Sequence, residues 1–183
     1  MKAASWGKSP RQSIEQECER RGNSAVVAGC IDLIEGRAVD ADLVLALGGP
    51  PASWVVTGEP AGPSYWLRVW ATCGLLWAWD DVALPAVKSA LNDEAWRVRE
   101  MALKVVARHK LDDAVTAVLE LQGDPVRRVR AAAALTLGRL SVAHGWLMHP
   151  PAAQALPDVC RDGRGLPSVL AAYPPGSLRW QTS

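Results

Sequence analysis

The sequence predicts an all-α fold: a short right-handed α-solenoid of antiparallel helix pairs, about three repeats long and preceded by N-terminal helices. Three observations carry that prediction. Arg68, Arg99 and Arg130 lie 31 residues apart, and Ala71, Ala102 and Ala133 follow each of them by three. The tripeptide Arg97-Val98-Arg99 recurs as Arg128-Val129-Arg130, and Asp93 recurs as Asp124. No segment alternates polar and apolar residues with the period of two that a strand requires. A fixed period in this range marks stacked helical repeats, in which one unit cannot bury its apolar face without a neighbour.

Residues 1–10 read as a flexible leader, and the start MKAASWGKSPRQS has no apolar run of a secretion signal. From Arg11 to Arg21 only Ile14 and Cys18 are apolar, which predicts a short surface helix ended by Gly22. Asn23-Ser24 then caps a second helix, Ala25 to Glu35. A third, Asp40 to Leu47, stops at Gly48-Gly49-Pro50-Pro51, and residues 48–64 read as the longest internal loop. The repeats begin near Tyr65. At about 100° per residue, the second helix of each pair gathers its apolar residues on one face. Those residues are Leu67, Trp70, Ala71, Gly74 and Leu75, then Val98, Met101, Ala102, Val105 and Val106, then Val129, Ala132, Ala133, Thr136 and Leu137. The shorter first helices, Ala83–Leu91 and Asp113–Leu121, bury Leu84, Val87 and Leu91, and Val115, Val118 and Leu119. The repeat domain thus covers 11–140. After it, Pro150-Pro151, Pro157, Gly163, Gly165, Pro167 and Pro174-Pro175 break any helical stripe, so 141–183 reads as an irregular or disordered tail. Its composition departs so far from the repeats that a non-homologous extension is an alternative.

Composition narrows the function. The 183 residues are 49% hydrophobic, enough for one core. A net charge of +1 gives no global field for nucleic acid, and no apolar run spans a membrane. The chain therefore reads as cytoplasmic. Nine Trp, no Phe and an excess of Arg over Lys suggest a bacterial, GC-rich coding sequence. Cys18, Cys30, Cys73 and Cys160 lack CxxC spacing and no His lies near them, which argues against a disulfide framework or a zinc site. His144 and His149 have no ligand partner at useful spacing, and His109 falls on an apolar side at a helix end, where a cation would suit the helix dipole. No metal or cofactor is expected. GxSxG, P-loop, GxGxxG and HExxH motifs are all missing, and no Lys-Ser/Thr follows Gly48-Gly49 to complete a phosphate cradle.

The stretches Leu91-Asn92-Asp93 to Arg97-Val98-Arg99 with Ala102, and Gly123-Asp124-Pro125 to Arg128-Val129-Arg130 with Ala133, resemble the HEAT repeat. In length the units resemble the short bacterial HEAT units often called phycobilin-lyase-like, and the sequence also looks like uncharacterised actinobacterial HEAT-repeat proteins. In the family, an Asp in the turn and an Arg six residues later form a ladder between units. Asp93 with Arg99 and Asp124 with Arg130 match that spacing, whereas the position preceding Arg68 falls at Gly62. Arg99 and Arg130 are thereby expected to be structural.

A second row of side chains has a different character. Residues 97 and 108 lie about 20° apart on the wheel, pointing away from the ladder, and 128 and 139 repeat them. The equivalents in the first unit are Trp66 and Trp77. The resemblance implies that second helices line the concave side, so Trp66, Trp77, Arg97, Arg108, Arg128 and Arg139 form the expected partner-binding row. Trp and Arg are the side chains most enriched at binding hot spots. The competing reading is a solvated face with Glu100→Lys104 as an ordinary pair and both Trp under the N-terminal helices. The expected function is a non-catalytic scaffold or adaptor for a protein or peptide, with nucleic acid less favoured and oligomeric state open. The alternative is enzymatic, a lyase or a DNA glycosylase. One HEAT-like family removes alkylated bases with Trp and Asp in a basic cleft, and Asp80 or Asp81 beside Trp77 and Trp79, facing Arg97 and Arg128, resembles that arrangement. Asp80 also suits a helix N-cap.

Overall fold

The structure is a computed structural model that describes residues 8–57 and 64–143. The expected leader up to residue 7, part of the expected loop and the tail beyond 143 lie outside the described residues. Among the described residues every regular element is helical. Helix α1 (Pro10–Arg21) starts where Ser9 and Gln12 exchange side-chain and backbone hydrogen bonds in a capping box, with Pro10 in the first turn. Gly22, at φ 90°, both ends α1 and begins α2 (Asn23–Ile34), so the expected Asn23-Ser24 cap is replaced by a glycine in the left-handed region. Asp40 caps α3 (Ala41–Gly48) by accepting from the Leu43 N–H at 3.0 Å. The expected loop is not featureless: a 3-10 turn, Pro50–Ala52, and a short helix, α4 (Trp54–Thr57), lie inside it.

Three helix pairs or partial pairs follow. Helix α5 (Tyr65–Gly74) is flanked by α2 and α3 on one side and by α7 (Trp96–His109) on the other. Helix α6 (Leu84–Leu91) packs along α7, and α8 (Val115–Glu120) packs along α9 (Arg127–Ala143). The second helices α5, α7 and α9 form one continuous row. The predicted faces are the core: Ala71, Leu75, Val98, Ala102, Val105, Val106, Val129 and Ala133 are all fully buried. Thr136 keeps its place on that face because its hydroxyl donates to the carbonyls of Ala132 and, across the helix interface, Leu103. Leu119, expected inside, is 52% exposed. Helix α8 is only six residues long and tightens into a 3-10 turn at Leu121–Gly123, which rotates Leu121 inward in its stead.

Ion pairs lock successive units together, but in a register different from the one expected. The Arg68 guanidinium grips Asp93 through Nε at 2.6 Å and through its second nitrogen at 3.1 Å, and Arg99 grips Asp124 at 2.8 and 3.1 Å. Each Arg thus reaches the carboxylate of the next unit, 25 residues on. Toward its own turn it gives only backbone hydrogen bonds: Arg99 to the Asp93 and Glu94 carbonyls, and Arg130 to those of Asp124 and Pro125. The Asp carboxylates are turned away from their own helices because each also accepts the N–H two residues later, from Ala95 and Val126 at 2.7 Å. The pairing of Asp124 with Arg130 is therefore corrected to Asp124 with Arg99. Arg68 makes the pairing with the next unit although Gly62 precedes it in sequence. Asp124 is held below the ordinary carboxylate range: burial pushes it up, but Arg99 and the Val126 N–H outweigh that.

Candidate functional site

The second residues of α5, α7 and α9 are Trp66, Arg97 and Arg128, so one turn of each helix delivers the same position to the same end of the row. Their side chains meet. The Arg97 guanidinium carbon lies 5.6 Å from the Trp66 ring centre and 4.3 Å from that of Trp96, and Arg128 lies 5.3 Å from Trp96. The stack continues backward, from Trp66 to Trp70 at 5.9 Å and from Trp70 to Trp54 on α4 at 6.4 Å. Tyr65 stands 5.3 Å from Trp66. Three indoles, Trp54, Trp70 and Trp66, therefore lead into an alternation of guanidinia and rings, Arg97, Trp96 and Arg128, joined by cation–π attraction between each cation and the electron-rich ring face.

Charge is distributed unevenly along this stack. Arg128 is paired with Glu100 at 3.1 Å, and the same carboxylate takes Lys104 at 3.0 Å. Its side chain is still 61% exposed. Arg97 is half-buried, and among the described residues its guanidinium touches rings and no acid. A shallow pocket beside it is lined by Tyr65, Glu94, Ala95, Trp96 and Arg97.

The other half of the predicted row forms a separate cluster. Trp77 is flanked by Arg108 at 4.1 Å and by Arg11 of α1 at 5.3 Å. Residues 97 and 108 sit at opposite ends of α7, roughly 16 Å apart at 1.5 Å per residue, so five of the six residues fall into two separate groups. Of the N-terminal helices, expected in the competing reading to cover both Trp, α1 reaches Trp77 through Arg11. Arg139 lies exposed on α9, outside both clusters.

The acidic arrangement behind the glycosylase alternative does not form. Asp80 caps the 3-10 turn Asp81–Ala83 by accepting from Val82 N–H at 3.0 Å, and Asp81 accepts from the Trp79 indole at 3.1 Å. Both sit beside the C-terminal end of α7, where Trp79 stacks on His109 at 4.4 Å, and not beside Arg97 or Arg128. His109 Nε2 is 2.9 Å from the Leu75 carbonyl, which accepts only, so that nitrogen carries the proton. Burial holds its pKa below the ordinary value, against the raising effect of the Leu75 bond. The helix-end cation expected at this position is thus disfavoured. Among the described residues no cluster of His, Cys, Asp or Glu is suited to a metal, and no helix is long and apolar enough to cross a membrane. His144, His149 and Cys160 lie outside the described residues.

Three members of the stack were not in the predicted row: Trp54, Trp70 and Trp96. Trp96 carried a signal, since the 31-residue period aligns it with Tyr65 and Arg127 immediately before the row. Trp70 belongs to the apolar face and reaches the stack by its size. Nothing in the sequence ties Trp54 to it.

Residues 62–169, more than half of the chain, match the family model described as HEAT repeats. The match begins just before α5 and runs past the end of α9. No match to the chain was found among curated proteins or among solved structures.

Proposed function

Because the chain belongs to the HEAT-repeat family, we propose that it is a non-catalytic scaffold or adaptor that holds a protein or peptide partner on the face built by its second helices. HEAT repeats commonly serve as protein-interaction scaffolds. The observation that carries the proposal is the stack of Trp66, Arg97, Trp96 and Arg128, which sits partly exposed at one end of three successive helices. Interface affinity concentrates in a few aromatic and Arg anchors. Anchors already immobilised by one another lose little rotamer freedom when a partner arrives. Trp77 with Arg108, and Arg139 beyond them, extend the same face toward the other helix ends. The reading needs no metal or cofactor, and a cytoplasmic location is part of the proposal.

A photo-crosslinking amino acid tests this directly. Placed at position 131 or 135 on the exposed side of α9, or at 104 on α7, it should capture a discrete cellular partner. The same group at position 119, on the exposed side of α8, should not. Capture from 119 and not from the second helices would refute the proposal.

A further inference from the structure

The stack also indicates what its partner carries. The Arg97 guanidinium lies over the Trp66 and Trp96 rings, and ring faces offer its N–H donors no carboxylate. Of the charged groups nearby, Arg128 is paired with Glu100 and Arg68 with Asp93 and Glu94, while Arg127 is exposed and makes none of the ring contacts that fix Arg97. Arg97 is the guanidinium of this stack without an acid among the described residues, and its position is fixed in advance by two rings. The adjoining pocket offers the flat surfaces of Tyr65 and Trp96 as walls, with Glu94 on its rim, 88% exposed.

Building on the scaffold reading of the preceding subsection, we propose that the recognised segment is a peptide carrying one Asp or Glu beside a large apolar side chain. The carboxylate takes the N–H donors of Arg97, and the apolar side chain lies against Tyr65 and Trp96. Charge complementarity decides against a nucleic-acid strand. A strand gains affinity by neutralising several phosphates in a row, and this stack holds one unmatched cation with Glu94 and Glu100 close by. The same carboxylate rim disfavours a second acid on the peptide.

The test uses the full chain. A random dodecapeptide library displayed on phage is selected on the wild-type protein and on Arg97→Gln. A recovered peptide is then titrated by tryptophan fluorescence, together with its counterpart in which the acid is replaced by the neutral amide. Wild type should enrich a motif with one acid next to Leu, Met or an aromatic residue. Neutralising that acid should weaken binding about ten-fold or more, as expected for a charged hydrogen bond. Arg97→Gln should show the same loss, with no further loss for the neutralised peptide. Because the peptide substitution leaves the protein untouched, this readout survives even where Arg97→Gln folds poorly. Enrichment of peptides without an acid, or an unchanged affinity on neutralising it, overturns the inference and leaves the scaffold reading standing. Enrichment of nothing counts against both. Oligothymidylate binding more tightly than any peptide, with steep salt dependence, would assign the stack to single-stranded nucleic acid instead.

Discussion

Asp124 shows how much one side chain carries when it serves two neighbours. Its carboxylate is 3% exposed, accepts both forks of Arg99 and fixes the turn through the Val126 N–H. Asp124→Ala leaves Arg99 with a buried, unmatched charge and should cost about 1–3 kcal/mol in chemical unfolding. The pH dependence has a definite sign. A carboxylate held below its ordinary 3.8 in the folded state contributes its full stabilisation above that value and loses it as pH falls below. The stability gap between wild type and Asp124→Asn should therefore narrow in acid and be constant near neutrality. A gap that widened in acid would contradict the pairing. Arg99 and Arg130 are also separable. Arg99 is 12% exposed, and Arg130 is exposed and, among the described residues, hydrogen-bonds only backbone carbonyls, so Arg99→Glu should unfold the domain, whereas Arg130→Glu should lower its melting point modestly. His109 titrates with the opposite kind of group and the same sign. A base held below its usual 6.5 by burial makes the fold less stable as pH drops under that value, and His109→Gln should flatten the slope there.

Between helices, the decisive quantity is how closely backbones approach. A methyl group added at Gly48 would lie 2.7 Å from the Trp70 ring and 2.8 Å from the Ala52 side chain, where α3 meets α5. Trp70 is buried, stacked on Trp66 and tilted against Trp54, so it has nowhere to retreat. Gly48→Ala should destabilise the protein by about 1–3 kcal/mol and loosen the aromatic stack, visible in near-ultraviolet circular dichroism. Among the described residues, Gly138 in α9 has no heavy atom within 4 Å of the same position. Gly138→Ala should stabilise, by about 0.5–1 kcal/mol, through helix propensity alone. Equal effects from the two substitutions would show that α3 and α5 are not in close contact.

For the whole molecule, the central test separates folding from binding. Reversing Arg97 and Arg128 together to Glu removes three cation–π contacts, each about 0.5–1 kcal/mol when exposed, and sets a like charge beside Glu100. Helical circular dichroism should be retained at a somewhat lower melting temperature, and partner capture should be lost. Capture persisting at wild-type strength would remove the stack from the interface. The architecture was readable in the chain itself, because the 31-residue period and the apolar faces it repeats are local properties. Residues such as Val98 and Val129, or Ala102 and Ala133, can only share a core if successive helix pairs stack. The partners across units were not readable. A spacing of six within one turn suggested Asp124 with Arg130, while the folded chain brings Arg99 to Asp124 from 25 residues away. The site divides in the same way. The wheel placed Trp66, Arg97 and Arg128 in line, since position within a helix follows from sequence. That Trp96, Trp70 and Trp54 complete the stack, and that Trp77 and Arg108 form a separate one, depended on where helix ends meet in space. Period and hydrophobic pattern are written residue by residue along the chain, but contacts between side chains of different helices exist only once packing fixes the distances between them.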